Sequence, residues 1–162
     1  MKTAISCLLF FFCTYIASAQ QAFKVGVHGG VPLGLATETY ASNFIADVDV
    51  IFHMTRNVQF GATAGANFLI HEEINGDRAE HLITIPVGGV AQYNFSERFA
   101  ISTDIAYSIV LQPDFVDGGL YLAPKGHVII TENLDVILAY RALLTNGETL
   151  SAATIGLEYG FY

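Results

Sequence analysis

The chain has 162 residues, a length suited to one domain rather than two. Hydrophobic residues make up 52% of it and charged residues only 14%, against roughly 25% charged in an average soluble domain, so a water-facing surface would be short of solubilising groups. The formal net charge is −8, which argues against nucleic acid and anionic lipid surfaces as electrostatic partners.

The N-terminus is typical of a secretory signal peptide. Lys2 precedes a short apolar segment over 5–16, and an Ala-Ser-Ala sequence ending at Ala19 matches an A-x-A cleavage site. The apolar segment is shorter than the roughly 20 residues that a transmembrane helix needs. We therefore predict a signal peptide over 1–19, cleavage near Ala19/Gln20 and a mature domain over 20–162.

Both cysteines, Cys7 and Cys13, lie inside this predicted signal. Bulky Phe12 precedes Cys13 where a lipoprotein signal would carry a small residue, so lipidation is not expected. The mature domain should then contain neither disulfides nor reactive thiols.

Alternation of apolar with small or polar residues runs through nearly the whole mature chain and predicts β-strands. In the segment 99–109, one face carries Phe99, Ile101, Thr103, Ile105, Tyr107 and Ile109, and the other carries Ala100, Ser102, Asp104, Ala106 and Ser108. A helix would mix these two sets. Eight such segments are predicted, at about 22–32, 43–54, 58–70, 81–94, 98–110, 118–131, 134–144 and 152–162.

The connections between these segments alternate in length. Short polar turns are predicted at 55–57, 96–98 and 132–133, and longer loops at 33–42, 71–80, 111–117 and 145–151. Short turns at one end and long loops at the other are typical of outer-membrane barrels. Aromatic residues near both ends, including Tyr121 at the long-loop end, predict two interfacial girdles.

The small residues decide which face of the strands is outside. Gly, Ala, Ser and Thr dominate the face opposite the large apolar side chains, which suits a crowded barrel interior better than a wet surface. We therefore predict a membrane barrel rather than a soluble, lipocalin-like carrier with an apolar lumen. Pro86 and Pro124 fall within predicted strands, where each removes a donor, so bulges or ladder gaps are expected there.

The sequence as a whole resembles the small eight-stranded outer-membrane barrels of the OmpA/OmpX-like kind. The resemblance implies an eight-stranded antiparallel up-and-down transmembrane β-barrel in the cell outer membrane, probed during biogenesis by the barrel-assembly machinery. The assembly signal implied by the resemblance is the alternating C-terminal set Ile155, Leu157, Tyr159 and Phe161.

Alternation also predicts which ionisable residues point into the lumen. These are Lys24, His28, Asp47, Asp49, Asp104, Lys125, His127, Asp135, Arg141 and Glu158. Because buried charges are tolerated only when they are paired, we expect a plug of salt bridges with Arg141, Lys125 and Lys24 as its cationic centres.

The sequence offers two chemical alternatives and favours neither. His28 and His127 could gather with Asp47 or Asp49, but no short metal-ligand spacing is present, so no metal and no cofactor are expected. For acyl transfer, His71 and the two glutamates after it share a loop that has no serine, and no nucleophile elbow is present.

The predicted long loops are strongly acidic. They contain one basic residue, Arg78, and eight acidic residues, namely Glu38, Glu72, Glu73, Asp77, Glu80, Asp114, Asp117 and Glu148. This pattern fits solvated loops, and it also fits divalent-cation bridging to lipopolysaccharide or docking of a basic partner.

The sequence thus predicts a non-catalytic, monomeric outer-membrane barrel with a structural or surface-interaction role. Its expected surroundings are outer-membrane lipid and lipopolysaccharide, with no nucleic acid. The alternatives are a narrow, porin-like pore or lipocalin-like small-ligand barrel and, further away, a lipid-modifying enzyme.

Overall fold

The computed structural model describes residues 21–71, 81–112, 117–145 and 148–161. Its strands are β1 (Gln21–Leu33), β2 (Tyr40–His53), β3 (Val58–His71), β4 (Leu82–Asn94), β5 (Phe99–Gln112), β6 (Gly119–Thr131), β7 (Leu134–Thr145) and β8 (Glu148–Phe161), with a 3-10 helix at Gly34–Glu38. Each strand pairs antiparallel with the next, and β1 pairs with β8 to close the barrel. The predicted fold class is confirmed. No helix in the described part of the chain is long and apolar enough to cross a membrane.

Strand β5 shows how the alternating sequence separates into two environments. Ile101 and Ile105 are 50% and 56% exposed on the outside of the barrel, whereas Asp104 between them is 2% exposed. The same alternation of exposed apolar and buried polar or small residues runs along β1, β6 and β8. The protein therefore has an apolar exterior and a polar interior, as predicted, and the lipocalin-like arrangement is wrong.

The two strand prolines interrupt the pairing, as predicted. The β3–β4 ladder is continuous to Ala64↔Val87 and resumes at Asn67↔Thr84, a gap that includes Pro86. The β6–β7 ladder skips from Leu122 to Lys125 on β6, a gap that includes Pro124. Because proline has no N–H to donate, a gap in the ladder at a proline loses fewer hydrogen bonds than a gap at another residue would.

The connection between β7 and β8 is shorter than the sequence predicted. A loop was predicted over 145–151, but Thr145 pairs with Glu148, which leaves only two residues between the strands. Those two residues are Asn146 and Gly147, the strongest short hairpin signal in a sequence, and the prediction overlooked it. The first connection is also shorter than predicted, because β2 begins at Tyr40.

Tyr121 does not belong to the aromatic girdle in which it was predicted. It is 2% exposed and faces the interior, as its even spacing from the inward residue Lys125 requires. Other aromatic side chains are exposed on the outside near the strand ends, including Phe44, Phe60, Tyr93, Phe99, Tyr107, Tyr159 and Phe161.

Apolar side chains also occupy part of the interior, which the alternation argument did not foresee. Ala36, Tyr40, Leu69 and Leu82 pack together where β1 and β3 end. Ile51 and Ile137 are fully buried in the half near the short turns. The interior therefore contains buried apolar side chains as well as the predicted polar ones.

Two outward positions of β5, one in mid-strand and one at the strand end, give a direct test of this orientation. Ile105→Lys places a charge in mid-strand on the outside and should lower the free energy of unfolding in lipid vesicles by about 2–4 kcal/mol, because a cation there must leave water. Leu111→Lys, on the same face at the strand end, should cost about 0–1 kcal/mol. Equal, small effects in urea titrations of the two variants would argue for a water-facing exterior.

Candidate functional site

The structure places all ten predicted interior residues inside the barrel. Each is 8% exposed or less. They come from β1, β2, β5, β6, β7 and β8, so the closed sheet brings together side chains that are far apart in the sequence. They form two groups around different cations.

Lys125 is the centre of the first group, and it reaches across the lumen. Its Nζ lies 2.8 Å from Asp104 Oδ2, 3.6 Å from Asp49 Oδ2 and 3.7 Å from Asp47 Oδ2. Lys125 is on β6, whereas Asp47 and Asp49 are on β2, four strands away in an eight-stranded ring. One ammonium group therefore links opposite walls.

Arg141 completes this first group with its planar fork of donors. Nη2 donates to Asp47 Oδ2 at 3.1 Å, Nη1 donates to the Tyr121 hydroxyl at 2.9 Å, and Nε donates to Thr154 Oγ1 at 3.2 Å. All three partners are buried. Such charge-assisted bonds are stronger than neutral ones, and they hold β2, β6, β7 and β8 at a fixed separation.

Lys24 is the centre of the second group, nearer the short turns. Its Nζ lies 2.7 Å from Glu158 Oε1 and 3.5 Å from Asp135 Oδ2. It also donates to Gln92 Oε1 at 3.3 Å. Gln92 was not among the predicted site residues, although the alternation along β4 places its side chain inside the barrel.

His28 joins the first group in a space left by glycine. Its Nε2 lies 3.2 Å from Asp47 Oδ1. A Cβ atom at Gly26 would collide with the Asp47 carboxylate, and one at Gly156 would collide with the His28 ring. Both positions therefore need glycine for space.

The interior carries more negative than positive charge. The first group has three carboxylates against Lys125 and Arg141, and the second has two carboxylates against Lys24. Each group thus has one excess negative charge while its histidine is neutral. Removing a carboxylate should consequently be tolerated far better than removing a cation.

His127 lies in an arrangement that the sequence analysis missed. Its Nε2 is 2.8 Å from Ser102 Oγ, and its Nδ1 is 3.5 Å from Asp135 Oδ2. Serine, histidine and aspartate in this order are the groups of a nucleophilic triad. Alternation along β5 and β6 places Ser102 and His127 on the inner face, but their contact depends on the register between the two strands. All three residues are 8% exposed or less, so a substrate carbonyl has no approach to Ser102 in this conformation.

The candidate metal ligands lie in two separate places rather than together. His28 lies beside Asp47. His127 lies with Asp135 and Glu158, and the possible ligand atoms of these three residues are all within 4.8 Å of one another. Lys24 contacts both of these carboxylates. An ammonium group already supplies the positive charge there, and it would repel a metal ion.

Few of the acidic loop residues fall in the described parts of the chain. Glu72, Glu73, Asp77, Glu80 and Asp114 lie outside the described residues, as does the predicted signal peptide. Glu38 ends the 3-10 helix, and Glu148 is the first residue of β8 rather than a loop residue. The Asp117 carbonyl accepts a 2.8 Å hydrogen bond from Thr145 Oγ1.

The residues of the implied assembly signal share the outer face of β8. Ile155, Leu157, Tyr159 and Phe161 are all exposed, and the Tyr159 and Phe161 rings meet edge to face with centroids 4.9 Å apart. The set forms one continuous apolar stripe. Its recognition by assembly machinery stays a prediction.

No protein-family model and no curated protein matches the sequence. Solved structures nevertheless resemble the fold over most of the chain. The fold is that of the small outer-membrane β-barrels. Ail of Yersinia pestis in a bilayer nanodisc has 9% identity and a TM-score of 0.58 and covers 89% of this chain and 100% of its own. The N-terminal barrel domain of Pseudomonas aeruginosa OprF has 13% identity and a TM-score of 0.54, with 89% and 100% covered.

A de novo designed transmembrane β-barrel matches equally well. It has 15% identity and a TM-score of 0.55, and it covers 86% of this chain and 95% of its own. The resemblance stated from the sequence is confirmed at the level of fold. Because natural and designed barrels share this fold, the fold by itself assigns no activity.

The charge imbalance of the first group predicts an asymmetry between two substitutions. Lys125→Met should lower the free energy of unfolding in vesicles by about 3–5 kcal/mol, because it leaves three buried carboxylates without their shared cation. Asp49→Asn removes the excess negative charge and should change that free energy by less than about 1 kcal/mol.

Denaturant titrations of both variants in the same vesicles would measure this difference. Ser108→Ala, which removes a buried hydroxyl without a charge, is the matched control. Equal losses for Lys125→Met and Asp49→Asn would show that the interior is not short of positive charge.

Proposed function

We propose that this protein is a non-catalytic barrel of the outer membrane, with a structural or surface-interaction role and an interior closed by its own ion pairs. The proposal rests on one observation, which is that the buried cations of the interior are paired with buried carboxylates. Lys24, Lys125 and Arg141 all bind carboxylates of the same chain at 2.7–3.1 Å. Their charges are thus directed at one another rather than at an open cavity.

The apolar exterior supports the location. Exposed Val, Ile, Leu, Phe and Tyr side chains occur on every strand, and in hydrocarbon only a closed barrel or a helix satisfies its backbone. By the usual orientation of such barrels, the short turns after β2, β4 and β6 face the periplasm and the other connections face outward. The acidic connections would then form the surface presented to lipopolysaccharide-bound cations or to a basic partner, with the barrel itself a monomer.

One observation favours a narrow pore as the second candidate. In the half of the interior nearer the longer connections, Asn43 Oδ1, Asn67 Oδ1, Thr84 Oγ1 and Ser108 Oγ are buried polar atoms with no hydrogen-bond partner in the described residues. Arg141 and both asparagines line a void of about 10 Å³ there, roughly the volume one water molecule needs. If the ion pairs opened, this polar half of the interior would offer a path for ions.

Planar-bilayer recording separates the closed barrel from the pore. The wild-type protein should give no stepwise conductance, because Lys125 crosses the lumen. The double variant Lys125→Ala/Asp104→Ala shortens both partners of one ion pair while keeping the net charge, and it should give discrete steps. Leu122→Ala, on the outer face of β6, is the matched control and should behave as wild type. Frequent steps from the wild type would contradict the closed interior.

Ser102 permits an equally direct test of the non-catalytic assignment. Expression of the wild type and of Ser102→Ala should leave the masses of lipid A and phospholipids identical, because the buried hydroxyl meets no substrate. A lipid mass change that requires Ser102 would establish an enzyme instead.

A further inference from the structure

The outer wall of the barrel carries a groove across β3 to β7, in the half near the short turns. Its volume is about 770 Å³. Small residues form the floor, namely Ala91, Thr103, Pro124 and Gly126, and large ones form the sides, namely Val58, Phe60, Tyr93, Ile101, Leu138 and Tyr140.

Strand register explains why the floor is continuous. Ala91 is opposite Thr103, and Thr103 is opposite Pro124, so three small outward residues lie side by side across β4, β5 and β6. Phe60 is opposite Ala91 at one end of this row. Such a depression requires small residues at matching positions of neighbouring strands, which the sequence of one strand does not reveal.

The groove continues toward the middle of the barrel wall. A second depression of about 240 Å³ shares Phe60, Ala91 and Thr103 with the first and extends to Gly89 and Ile105. The connected surface is mostly apolar. Thr103, Tyr93 and Tyr140 carry hydroxyl groups, and the strand residues Gln92, Ser102 and Lys125 also contribute to the lining. An occupant must therefore be a flexible apolar chain or the side chains of another protein surface.

Charge at the foot of the groove distinguishes between these occupants. Arg56 and Arg98 are the two basic residues outside the interior in the described part of the chain, and both are exposed on short turns. Among the described residues, the ion pairs of Lys24, Lys125 and Arg141 lie inside the barrel, and none involves either of these two guanidinium groups.

Backbone hydrogen bonds fix both turns beside the groove. Asn94 N donates to Asn57 O at 2.8 Å, next to Arg56, and Ile129 N donates to Arg98 O at 2.9 Å. Along β5, Ile101 and Thr103 lie three and five residues beyond Arg98, which is about 10–17 Å at 3.3 Å per residue. The basic groups thus lie at the interface end and the groove lies within the apolar zone.

We propose that the groove binds an acyl chain of an inner-leaflet glycerophospholipid whose phosphate is bound by Arg98 and Arg56. This inference rests on the membrane orientation of the proposed function. An apolar groove with two exposed guanidinium groups at its interface end matches a phosphate joined to a hydrocarbon chain. A second copy of the chain is the alternative occupant, and the experiment below distinguishes a dimer from bound lipid.

Native mass spectrometry of the refolded full chain, titrated with phosphatidylglycerol in detergent micelles, tests the proposal. The wild type should retain one lipid. Ala91→Phe fills the floor and should weaken retention about tenfold or more, equivalent to about 1.4 kcal/mol. Ala46→Phe, an outward position on β2 away from the groove, is the matched control and should retain lipid as the wild type does.

The headgroup contact needs its own pair of variants. Arg98→Gln should weaken phosphatidylglycerol retention about three- to tenfold and leave retention of diacylglycerol, which has no phosphate, unchanged. Arg98→Lys should keep most of the phosphatidylglycerol. Ala91→Phe and Ala46→Phe losing lipid equally, or a dimer in place of bound lipid, would overturn the proposal.

A second measurement covers variants that refold poorly. The chain has no tryptophan, so Leu138→Trp at the groove and Ile155→Trp on β8 each give a single probe in an otherwise intact barrel. In bilayers containing a small fraction of brominated phosphatidylglycerol, the groove probe should be quenched more strongly. Equal quenching would overturn the lipid site, whereas failure of the membrane location would appear separately, as loss of the heat-dependent shift in gel mobility.

Discussion

The backbone of this protein has to satisfy its own hydrogen bonds, because its outer face is apolar on every strand. Closure of β1 onto β8 provides this, and eight strands leave an interior only wide enough for side chains. Everything inside must then be packed or paired. The close glycines around His28, the buried apolar side chains and the ion pairs all follow from the small diameter.

The ion pairs are best understood as the way in which a narrow polar interior is filled. Lys125 and Arg141 connect strands that are not neighbours in the sheet, so they resist changes in barrel cross-section that the backbone ladder alone would allow. Buried charges cost desolvation energy, and they stabilise only when their partners are well placed. In the non-catalytic barrel that we propose, Ser102, His127 and Asp135 belong to this packing, although they lie close together.

The sequence was sufficient for the strands, the orientation and the inward direction of all ten ionisable residues, because each depends only on period-2 alternation. Contacts across the lumen were not predictable, since the approach of Lys125 to Asp47 depends on barrel diameter and strand stagger. Parity also identifies Ser102 and Tyr121 as interior residues, but alternation alone does not say which neighbours they meet. The groove at Ala91, Thr103 and Pro124 depends on register between three strands, and the early start of β8 depends on recognising Asn146-Gly147 as a hairpin.

The central claim is that successive residues of one strand alternate between hydrocarbon and a closed interior. Because both cysteines lie in the predicted signal, single cysteines can be placed at each position of 99–109 and spin-labelled in lipid vesicles. Odd positions should show high collision rates with oxygen and low rates with a water-soluble nickel complex, while even positions should be immobile and inaccessible to both. High nickel accessibility at Ile101 and Ile105, with oxygen confined to the even positions, would contradict the account.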